Sequence, residues 1–420
     1  MHLSDREILV GKYKHAAYKT CYWTAQSLRT GGRRQCYKHP FGIKSHLCIQ
    51  STSFRGCNIA CSFCWRDVEG RQHSFQHLDD PIQIAEELIQ EQSSIIEQSL
   101  PDSLENHENM VNLVHILGSL ETLTINELAR LTNISRQKTE DALIDLKNAG
   151  IVEQKAKKTY SLRKEFSKQV SLEESRNLVE QFVASRKDII DVHLEAAKPK
   201  HVAISYDGEP TMYVRLPELV SEFRKRGIST FVVTNGTFPE RILEMQEIGT
   251  LPTQLYVTLA APDKETYLKV CSSVTPHFPA SSEHWERLNK TLGLLSSLDC
   301  RTVVRITSVR GVNMIKPELY RKKIVESNPS FLEIKGFSIS GNAPRISERL
   351  GDTSVGPLDP SLYKTAFKYA PTHDEVMDFA KSISSNFSFF PLASESRLNR
   401  EALLRVGWKS NIEIDFPHEL

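Results

Sequence analysis

Short apolar runs alternate along the chain with stretches of amphipathic helical periodicity. The runs are rich in β-branched residues and end at Gly, Asn or Pro, as strands buried on both faces do. The predicted strands are residues 46–52, 201–206, 229–234, 254–259, 301–308 and 331–338. The predicted helices between them are residues 81–92, 216–225, 238–247, 283–297, 317–327 and 373–384. This alternation predicts an α/β fold, a wound sheet or barrel of parallel strands, with its site at their carboxyl ends.

One segment, from about residue 109 to residue 164, interrupts this alternation. It predicts a helix at 110–120, a second helix opened by the capping box of Thr124 and Glu127, a third helix at 135–149, and a two-strand wing at 151–162. This order resembles a winged-helix module. We therefore predict three domains, residues 1–108, the insertion 109–166 and residues 167–420.

The charge of the insertion bears on its role. The third helix carries three basic and three acidic residues, which favours docking or substrate positioning over reading of a DNA groove. The wing contains Lys155, Lys157 and Lys158 and is the better edge for phosphate contacts.

Composition excludes several classes of protein. The chain has 420 residues, 40% of them hydrophobic and 25% charged, so it is neither disordered nor fibrous. The mean hydropathy is −0.35, no apolar run is long enough to span a membrane, and the polar start is unlike a signal peptide. We expect a cytoplasmic protein with no membrane partner.

The net charge of +1 hides a strongly basic beginning. The first 66 residues contain eleven Lys and Arg against two acids, Asp5 and Glu7, with aromatic residues interspersed. Such a segment suits phosphates and unstacked bases, although a solvated basic face has the same composition. The candidate RNA-binding residues are Arg33, Arg34, Lys44 and Arg55. A structural role for Lys44 is the alternative.

Cysteines cluster in the same segment, since six of the eight lie within the first 64 residues. A cytosolic chain of this size needs no disulfides, so clustered thiols indicate metal. Cys57, Cys61 and Cys64 share a loop after the first long strand and can bind three irons of a 4Fe–4S cluster, leaving the fourth iron open for S-adenosylmethionine. Zinc is the alternative, but only Cys61 and Cys64 have the spacing of a zinc knuckle.

Polar and glycine-containing sequences follow the next strands, where a cofactor would bind. A glycine permits close approach of the backbone, and free carbonyls accept hydrogen bonds from an ammonium group. The candidate cofactor-binding residues are Gly208, Glu209, Pro210, Thr234, Asn235, Thr258, Arg305 and Asn313. For the last three, a buried polar role in the core is an equal alternative.

At these residues the chain resembles the radical S-adenosylmethionine superfamily and, within it, the tRNA 4-demethylwyosine synthase family. The segments that carry the likeness include Cys21-Tyr-Trp-Thr, Cys36-Tyr-Lys38, Gly42-Ile-Lys44-Ser-His46-Leu-Cys48, Phe63-Cys-Trp-Arg66, Gly208-Glu-Pro-Thr211 and Val233-Thr-Asn-Gly-Thr-Phe-Pro239. The resemblance implies a partial (β/α)6 TIM-like barrel of the radical SAM type, here with the inserted winged helix.

The resemblance also implies a reaction, in which N1-methylguanosine 3′ of the anticodon of tRNA-Phe condenses with pyruvate to give 4-demethylwyosine. It implies two 4Fe–4S clusters, the second of them held by Cys21, Cys36 and Cys48. Lys38 matches the family lysine proposed to capture pyruvate as a Schiff base, with a lowered pKa suited to imine formation. Chelation of pyruvate by the second cluster, or phosphate contact by Lys38, is the alternative.

Electrons would come from an external ferredoxin or flavodoxin, as in the single-module archaeal type. The chain also departs from the family pattern, with Tyr206-Asp207 before the Gly-Glu-Pro motif, Gly341-Asn-Ala-Pro-Arg345 after the sixth strand, and an insertion at about 351–368. Two other functions therefore stay open: a radical reaction on a different RNA or protein, and a redox-sensing regulator that binds DNA through the winged helix.

Overall fold

The computed structural model describes residues 7–67, 75–166, 171–272, 280–351 and 361–407. The strands are β1 (Glu7–Val10), β2 (Ala16–Lys19), β3 (Cys48–Thr52), β4 (Thr122–Thr124), β5 (Val152–Ala156), β6 (Thr159–Leu162), β7 (His201–Ile204), β8 (Ser229–Thr234), β9 (Gln254–Thr258), β10 (Arg301–Ser308), β11 (Phe331–Gly336), β12 (Leu392–Ser396) and β13 (Glu401–Arg405).

The helices alternate with these strands. They are α1 (Tyr22–Arg29), α2 (Pro81–Leu120), α3 (Ile125–Thr132), α4 (Arg136–Asn148), α5 (Leu172–Phe182), α6 (Arg186–Ala196), α7 (Leu216–Lys225), α8 (Pro239–Glu247), α9 (Lys264–Val270), α10 (Ser282–Leu294), α11 (Pro317–Ser327), α12 (Ile346–Arg349), α13 (Leu362–Ala366) and α14 (His373–Ser384). None of the helices in the described ranges is long and apolar enough to cross a membrane.

Six parallel strands form the centre of the main sheet, in the order β3-β7-β8-β9-β10-β11. All six predicted strands are present, and the crossover helices match the predicted ones closely. The first strand begins at Cys48 rather than residue 46, because Ser45–Leu47 forms a 3-10 turn. This arrangement agrees with the predicted partial barrel.

Both faces of the parallel strands are buried, which explains their continuous apolar sequences. Val202, Val232, Val257 and Val304 pack in the main core with the helices. Their neighbours point to the other face, where a second cluster fills the interior of the barrel. That cluster contains Phe41, Ile43, Cys48, Ala203, Phe231, Tyr256, Val303, Phe331 and Leu403.

Antiparallel hairpins extend the sheet at both ends. Strands β1 and β2 continue it beyond β3, and β13 and β12 continue it beyond β11. The alternation of strands and helices did not predict them, because each hairpin is antiparallel and has no crossover helix between its strands.

Helix α2 joins the barrel to the insertion without a break. Its 40 residues include Pro101 and unite the predicted helices at 81–92 and 110–120. The intervening turns are rich in Ser, Gln and Glu, and several of their buried residues, such as Ser99 and Asn106, are small or polar. The predicted boundary between residues 108 and 109 falls inside this helix.

The insertion has a hydrophobic core of its own. The end of α2 packs with α3, α4 and the small sheet β4-β6-β5, and Thr124 and Glu127 form the predicted capping box. The same core includes Val179 and Val183, beyond the predicted boundary at 166, because α5 covers the open side of α2. Its identity as a winged helix and the domain boundaries stay predictions.

Candidate functional site

A cavity of about 420 Å³ lies at the carboxyl ends of the parallel strands. The thiols of Cys57, Cys61 and Cys64 line it together with residues from the ends of β7 to β11. This is the edge at which the sequence predicted the site. The lining includes Gly208, Glu209, Thr234, Asn235, Thr258 and Arg305 from the candidate set.

The loop that carries the three cysteines is held by hydrogen bonds to the end of α9. The amide of Ala60 donates to the carbonyl of Cys271 at 3.3 Å, and the amide of Ser62 donates to that of Val270 at 2.8 Å. Cys271 is buried, and its sulfur lies 3.9 Å from that of Cys61. Its proximity to the loop could not be read from the sequence.

Gly208 explains why the end of β7 lies so close to this loop. Its φ is +68°, and a Cβ atom at this position would lie 1.9 Å from the carbonyl oxygen of Phe54. Only glycine combines this conformation with this contact. Pro210 begins the short 3-10 helix that follows and is buried.

Glu209 fixes the ends of two neighbouring strands to each other. Its carboxylate accepts hydrogen bonds from the amide of Asn235 at 2.7 Å and from the hydroxyls of Thr211 and Thr234 at 2.5 and 2.6 Å. Burial raises the pKa of Glu209 above its ordinary value, although these donors oppose the shift. The carboxylate is thus already occupied by the protein and shapes the cavity wall.

Asn235 connects this wall to the cysteine loop. Its side-chain amide donates to Asn58 at 2.9 Å and lies 3.9 Å from the sulfur of Cys57. An amide beside a ligand sulfur is a known means of tuning a cluster.

Asn313 differs from the prediction. It is completely buried, its amide donates to the carbonyls of Ala260 and Thr307, and its oxygen accepts from the amide of Val309. The side chain therefore holds the turn after β10 and does not line the cavity. The structure supports the alternative interpretation of Asn313 as a buried polar residue of the core.

The acidic residue at the Tyr206-Asp207 departure is neutralised by Arg66. The guanidinium lies 3.3 Å from the carboxylate of Asp207 and 3.2 Å from that of Glu7, and it stacks on the ring of Tyr206. Asp207 also accepts a hydrogen bond from the amide of Gly208. The departure therefore adds a paired acid to the cavity.

A second group of cysteines surrounds Lys38. The ammonium donates to the sulfur of Cys48 at 3.1 Å, and the Lys38 amide donates to the sulfur of Cys36 at 3.4 Å. Cys21 is close enough for both of these thiols to influence its pKa, which burial raises. The structure thus brings Cys21, Cys36, Cys48 and Lys38 together, as the resemblance implied.

The pKa of Lys38 is shifted in the direction opposite to the expectation. Burial alone would lower it, but the neighbouring Cys48, Tyr37 and Cys36 outweigh burial and raise it above the ordinary value. This direction is opposite to the lowered pKa expected from the sequence, which did not take account of Cys48, Tyr37 and Cys36 as neighbours of the amine.

Tyr37 lies between Lys38 and the cavity, which the sequence did not predict. Its ring centroid is 6.0 Å from the Lys38 amine, 4.8 Å from the Arg305 guanidinium and 4.1 Å from the Lys335 amine. Arg305 and Lys335 line the cavity, and Arg305 is paired with Glu333 at 2.7 Å. The two cysteine groups therefore face one interior from the two ends of β3.

Several basic residues of the first segment are paired with acids. Lys44 lies 2.7 Å from Glu195, and Arg33 lies 3.7 Å from Asp188. Arg55 is 3.9 Å from Glu7, and Arg34 donates to the side chain of Gln26. The predicted RNA contacts stay predictions, but the free positive charge is smaller than the sequence suggested.

Three thiols, those of Cys57, Cys61 and Cys64, line the cavity and are the type of ligand that holds an iron–sulfur cluster. Within the described ranges, no group of three or more His, Cys, Asp or Glu residues has the geometry of a single-ion site. A cluster distributes its thiolates over several irons, whereas zinc collects four ligands at one point. The convergence of Cys57, Cys61 and Cys64 on one cavity is what a cluster requires.

Known proteins with similar sequences decide the family. The model of the radical SAM superfamily matches residues 167–322. The S-adenosyl-L-methionine-dependent tRNA 4-demethylwyosine synthase of Pyrococcus abyssi is 31% identical over 396 residues, which cover 93% of this chain and 84% of the relative. The chain belongs to the tRNA 4-demethylwyosine synthase family.

Other members of this synthase family differ in how much of their length is matched. The Pyrococcus horikoshii synthase is 30% identical, with 93% of this chain and 84% of the relative covered. The Arabidopsis thaliana synthase is 28% identical, and the match covers 88% of this chain but only 40% of that protein.

Solved structures of the synthase family share the fold. A structure of TYW1 with a lysine-pyruvate adduct bound has a TM-score of 0.58 and 23% identity, with 97% of this chain and 94% of that chain covered. Archaeal TYW1 has a TM-score of 0.54 and 22% identity, with 93% and 90% covered. The fold predicted from the strand pattern is thereby confirmed.

Proposed function

We propose that this protein forms 4-demethylwyosine by condensing N1-methylguanosine of tRNA-Phe, on the 3′ side of the anticodon, with pyruvate. The observation that carries the proposal is the match to tRNA 4-demethylwyosine synthases over 93% of the chain. The joint placement of both cysteine groups and Lys38 in one barrel interior supports it.

Membership of the radical SAM superfamily implies S-adenosylmethionine and one 4Fe–4S cluster. In the proposal, Cys57, Cys61 and Cys64 hold that cluster. When bound, the cluster and S-adenosylmethionine supply a carbon radical that removes hydrogen from the N1-methyl group. Asn235 orients the sulfur of Cys57, and Glu209 holds the ends of β7 and β8 in the positions that form the binding cavity.

The second cysteine group serves the keto acid in this proposal. Cys21, Cys36 and Cys48 hold a second 4Fe–4S cluster, and Lys38 binds pyruvate through its amine. The apolar floor formed by Phe41, Ile43 and Phe231 limits water around the amine. Fixing pyruvate here would hold its carbons in the same interior as the radical. The two reactants are then close together before they react.

Lys38 needs a neutral amine to form an imine, yet its neighbours favour the ammonium. We propose that the thiols around it are what change, because a thiol that binds iron no longer offers its full negative charge to the amine. Cluster chelation of pyruvate is the competing arrangement and requires no proton loss at Lys38.

The substrate RNA is proposed to approach the carboxyl ends of the strands, with Arg33, Arg34, Lys44 and Arg55 contacting phosphates. Each of these side chains would exchange its present protein partner for phosphate. An external ferredoxin or flavodoxin is proposed as the electron donor. Turnover with a reduced flavodoxin in place of a chemical reductant tests this donor class.

The function is tested by anaerobic reconstitution followed by reaction with tRNA-Phe bearing N1-methylguanosine, pyruvate, S-adenosylmethionine and a reductant. We expect about eight irons per chain, two clusters of four, and a digested nucleoside whose mass has increased by two carbons. Release of 5′-deoxyadenosine without the tricyclic base would instead favour a radical reaction on another substrate. Zinc in place of iron would overturn the proposal.

Two variants separate the proposed roles. Lys38→Met should retain its iron and lose the adduct that borohydride traps with labelled pyruvate, whereas cluster chelation predicts turnover that survives the change. Cys57→Ser should lose about half of the iron, while the control Cys300→Ser, a buried cysteine outside both groups, should keep all of it. A regulator would instead bind DNA and form no nucleoside product.

A further inference from the structure

Cys271 lies at the end of helix α9, next to the cysteine loop. The residue is completely buried, and its amide donates to the carbonyl of Tyr267 at 2.8 Å. Its sulfur lies 3.9 Å from that of Cys61, although 210 residues separate the two in the sequence. The proposed reaction gives this thiol no role.

The backbone on both sides of Cys61 holds this contact in place. The amides of Ala60 and Ser62 donate to the carbonyls of Cys271 and Val270, so Cys61 lies between two hydrogen bonds to the end of α9. The two sulfur atoms of a disulfide are about 2 Å apart. Joining Cys61 to Cys271 therefore requires a further approach of about 2 Å, which a change of side-chain rotamer can supply.

The two thiols differ in their access to solvent. Cys61 is partly exposed and lines the cavity, whereas Cys271 is enclosed by the apolar core that also contains Val270 and Trp285. A small oxidant in the cavity can therefore reach Cys61 before it reaches Cys271. An accessible thiol with a second thiol beside it is the arrangement found in redox-active cysteines that form disulfides.

A polar group lies near both thiols. The hydroxyl of Tyr267, one turn before Cys271 on α9, is buried and has no hydrogen-bond partner among the described residues. Burial raises the pKa of Tyr267, and the neighbouring Cys271 and Cys61 raise it further, so the hydroxyl stays protonated. This hydroxyl is available to donate a hydrogen bond to an oxygen atom carried by a neighbouring sulfur.

We infer that Cys61 and Cys271 form a disulfide when the cluster is lost to an oxidant such as hydrogen peroxide, and that this bond preserves Cys61 for reloading. The peroxide first converts the Cys61 thiol to a sulfenic acid and releases one water. The Cys271 thiol then attacks that sulfur, which forms the S–S bond and releases the sulfenic oxygen as a second water. The two thiols lose two electrons and two protons in total, and the peroxide takes up both.

Without Cys271 the sulfenic acid would be open to a second oxidation. The resulting sulfinic acid is irreversible in most proteins, whereas a dithiol reduces a disulfide back to two thiols. The inference rests on the proposed assignment of Cys61 as a cluster ligand. The disulfide itself is measured without any reaction on RNA.

Peptide mapping of the full chain tests the inference. The reconstituted protein is treated with hydrogen peroxide, freed of iron by a chelator, alkylated and digested with trypsin. Cleavage places the three loop cysteines in residues 56–66 and Cys271 in residues 270–287. We expect these two peptides to be joined, with fragmentation assigning the bond to Cys61. Alkylated Cys271, or a disulfide of Cys61 with Cys57 or Cys64 instead, would overturn the inference.

A variant measures what the disulfide protects. Cys271→Ala keeps the three loop thiols, so we expect it to bind as much iron as the wild type before oxidation. After peroxide, dithiothreitol and a second reconstitution, it should recover several-fold less of the cluster whose paramagnetic resonance signal responds to S-adenosylmethionine. Its Cys61 should carry sulfinic acid by mass. Cys300→Ala, a buried cysteine outside the loop, is the matched control and should recover like the wild type.

Equal recovery in Cys271→Ala and the wild type would overturn the protective role. If Cys271→Ala does not fold, Cys271→Ser takes its place, and the peptide map of the wild type decides whether the disulfide forms. A wild-type chain that takes up no iron would overturn the proposed function. Absence of the joined peptides from a chain that had bound iron would overturn this inference and leave the proposed function intact.

Discussion

At Gly208 a single added methyl group should strongly destabilise the fold. In Gly208→Ala the Cβ atom would overlap the carbonyl of Phe54, at a positive φ, so the end of β7 must move away from the cysteine loop. We expect a loss of more than about 3 kcal/mol in the free energy of unfolding. Denaturant titration of the purified variant measures it.

Gly227→Ala is the matched control for this change. Its φ is +69°, nearly the same as that of Gly208, but no heavy atom lies within 4 Å of the added Cβ position. We expect a cost of about 1 to 2 kcal/mol from backbone conformation alone. Equal losses in the two variants would show that the contact with Phe54 is unimportant.

The three donors around Glu209 should require a carboxylate at this position. In Glu209→Gln one carboxylate oxygen becomes an amide that donates, and it then faces the amide of Asn235 or the hydroxyl donors of Thr211 and Thr234. We expect a loss of about 1 to 3 kcal/mol in stability and weaker binding of S-adenosylmethionine. Thermal unfolding and equilibrium dialysis measure these, with the exposed Glu218→Gln as a near-neutral control. Unchanged binding would contradict the assigned role of this wall.

Residue spacing was enough to place Cys57, Cys61 and Cys64 in one loop, whereas the grouping of Cys21, Cys36 and Cys48 was implied by the family resemblance. Spacing was insufficient for Asn313, where the same polar residue suits a cofactor site or a turn. It also failed for the pKa of Lys38, because the shift depends on Cys36, Cys48 and Tyr37 as neighbours in space.

Among the elements, α1 and α4 are joined by a buried ion pair that ties the cysteine-rich segment to the insertion. The carboxylate of Asp145 accepts from Arg29 at 2.7 Å and from Asn106 of α2 at 3.0 Å. Asp145→Ala leaves Arg29 and Asn106 without this acceptor. We expect a loss of about 2 to 3 kcal/mol, below the range for a fully buried pair because Arg29 is partly exposed.

Hydrogen exchange measures this change where it should appear. Amides of α1 (Tyr22–Arg29), next to Cys21, are expected to exchange faster in Asp145→Ala. Lys138→Ala is the control, because its ion pair with Glu105 is half exposed on both sides and should contribute little. Unaltered exchange across α1 would show that the insertion does not stabilise the second cysteine group.

The helices predicted best are those whose apolar residues follow a single helical period. The helices at 216–225, 317–327 and 373–384 agree with α7, α11 and α14 to the residue. Helix α2 was divided into two, because contacts with α1, α4, α5 and α6 stabilise turns whose buried residues include the polar Ser99, Ser103 and Asn106. Tertiary packing of that kind leaves no local pattern in the sequence.

For the whole molecule, buried neutral histidines should set the response to acid. Burial lowers the pKa of His15, His107 and His193, and it lowers that of His201 to about 3. In the unfolded chain these groups titrate near pH 6.5, so that state binds more protons below this value. Their contribution to stability is complete above about pH 6.5 and is lost as the pH falls towards the folded values.

Thermal unfolding at about pH 8, pH 6.5 and pH 5.5 measures this response. We expect little change between the first two and a clear fall at the third, at up to about 1.4 kcal/mol per pH unit for each histidine. His201→Gln, which can still bond to Ser229, should make the fall shallower. A melting temperature that rises on acidification would contradict the account.

The charge of the whole molecule was predicted only in part. The sequence places eleven basic residues in the first 66, but acids from distant segments neutralise several of them. Glu195 and Asp188 of α6 and Asp207 after β7 supply these acids. A count of charged residues along the sequence does not show which of them form ion pairs in the folded protein.

The hairpins at the two ends of the main sheet have a consequence for self-association. The outer strands, β1 and β12, contain only four and five residues, and β12 is irregular between Leu392 and Ser394. Each also carries an acid, Glu7 or Glu395. A second copy that paired with either edge would gain few hydrogen bonds and would bring like charges together. A ten-stranded sheet is thereby closed to further growth at its edges, which protects a chain rich in buried β-structure from aggregating as it folds.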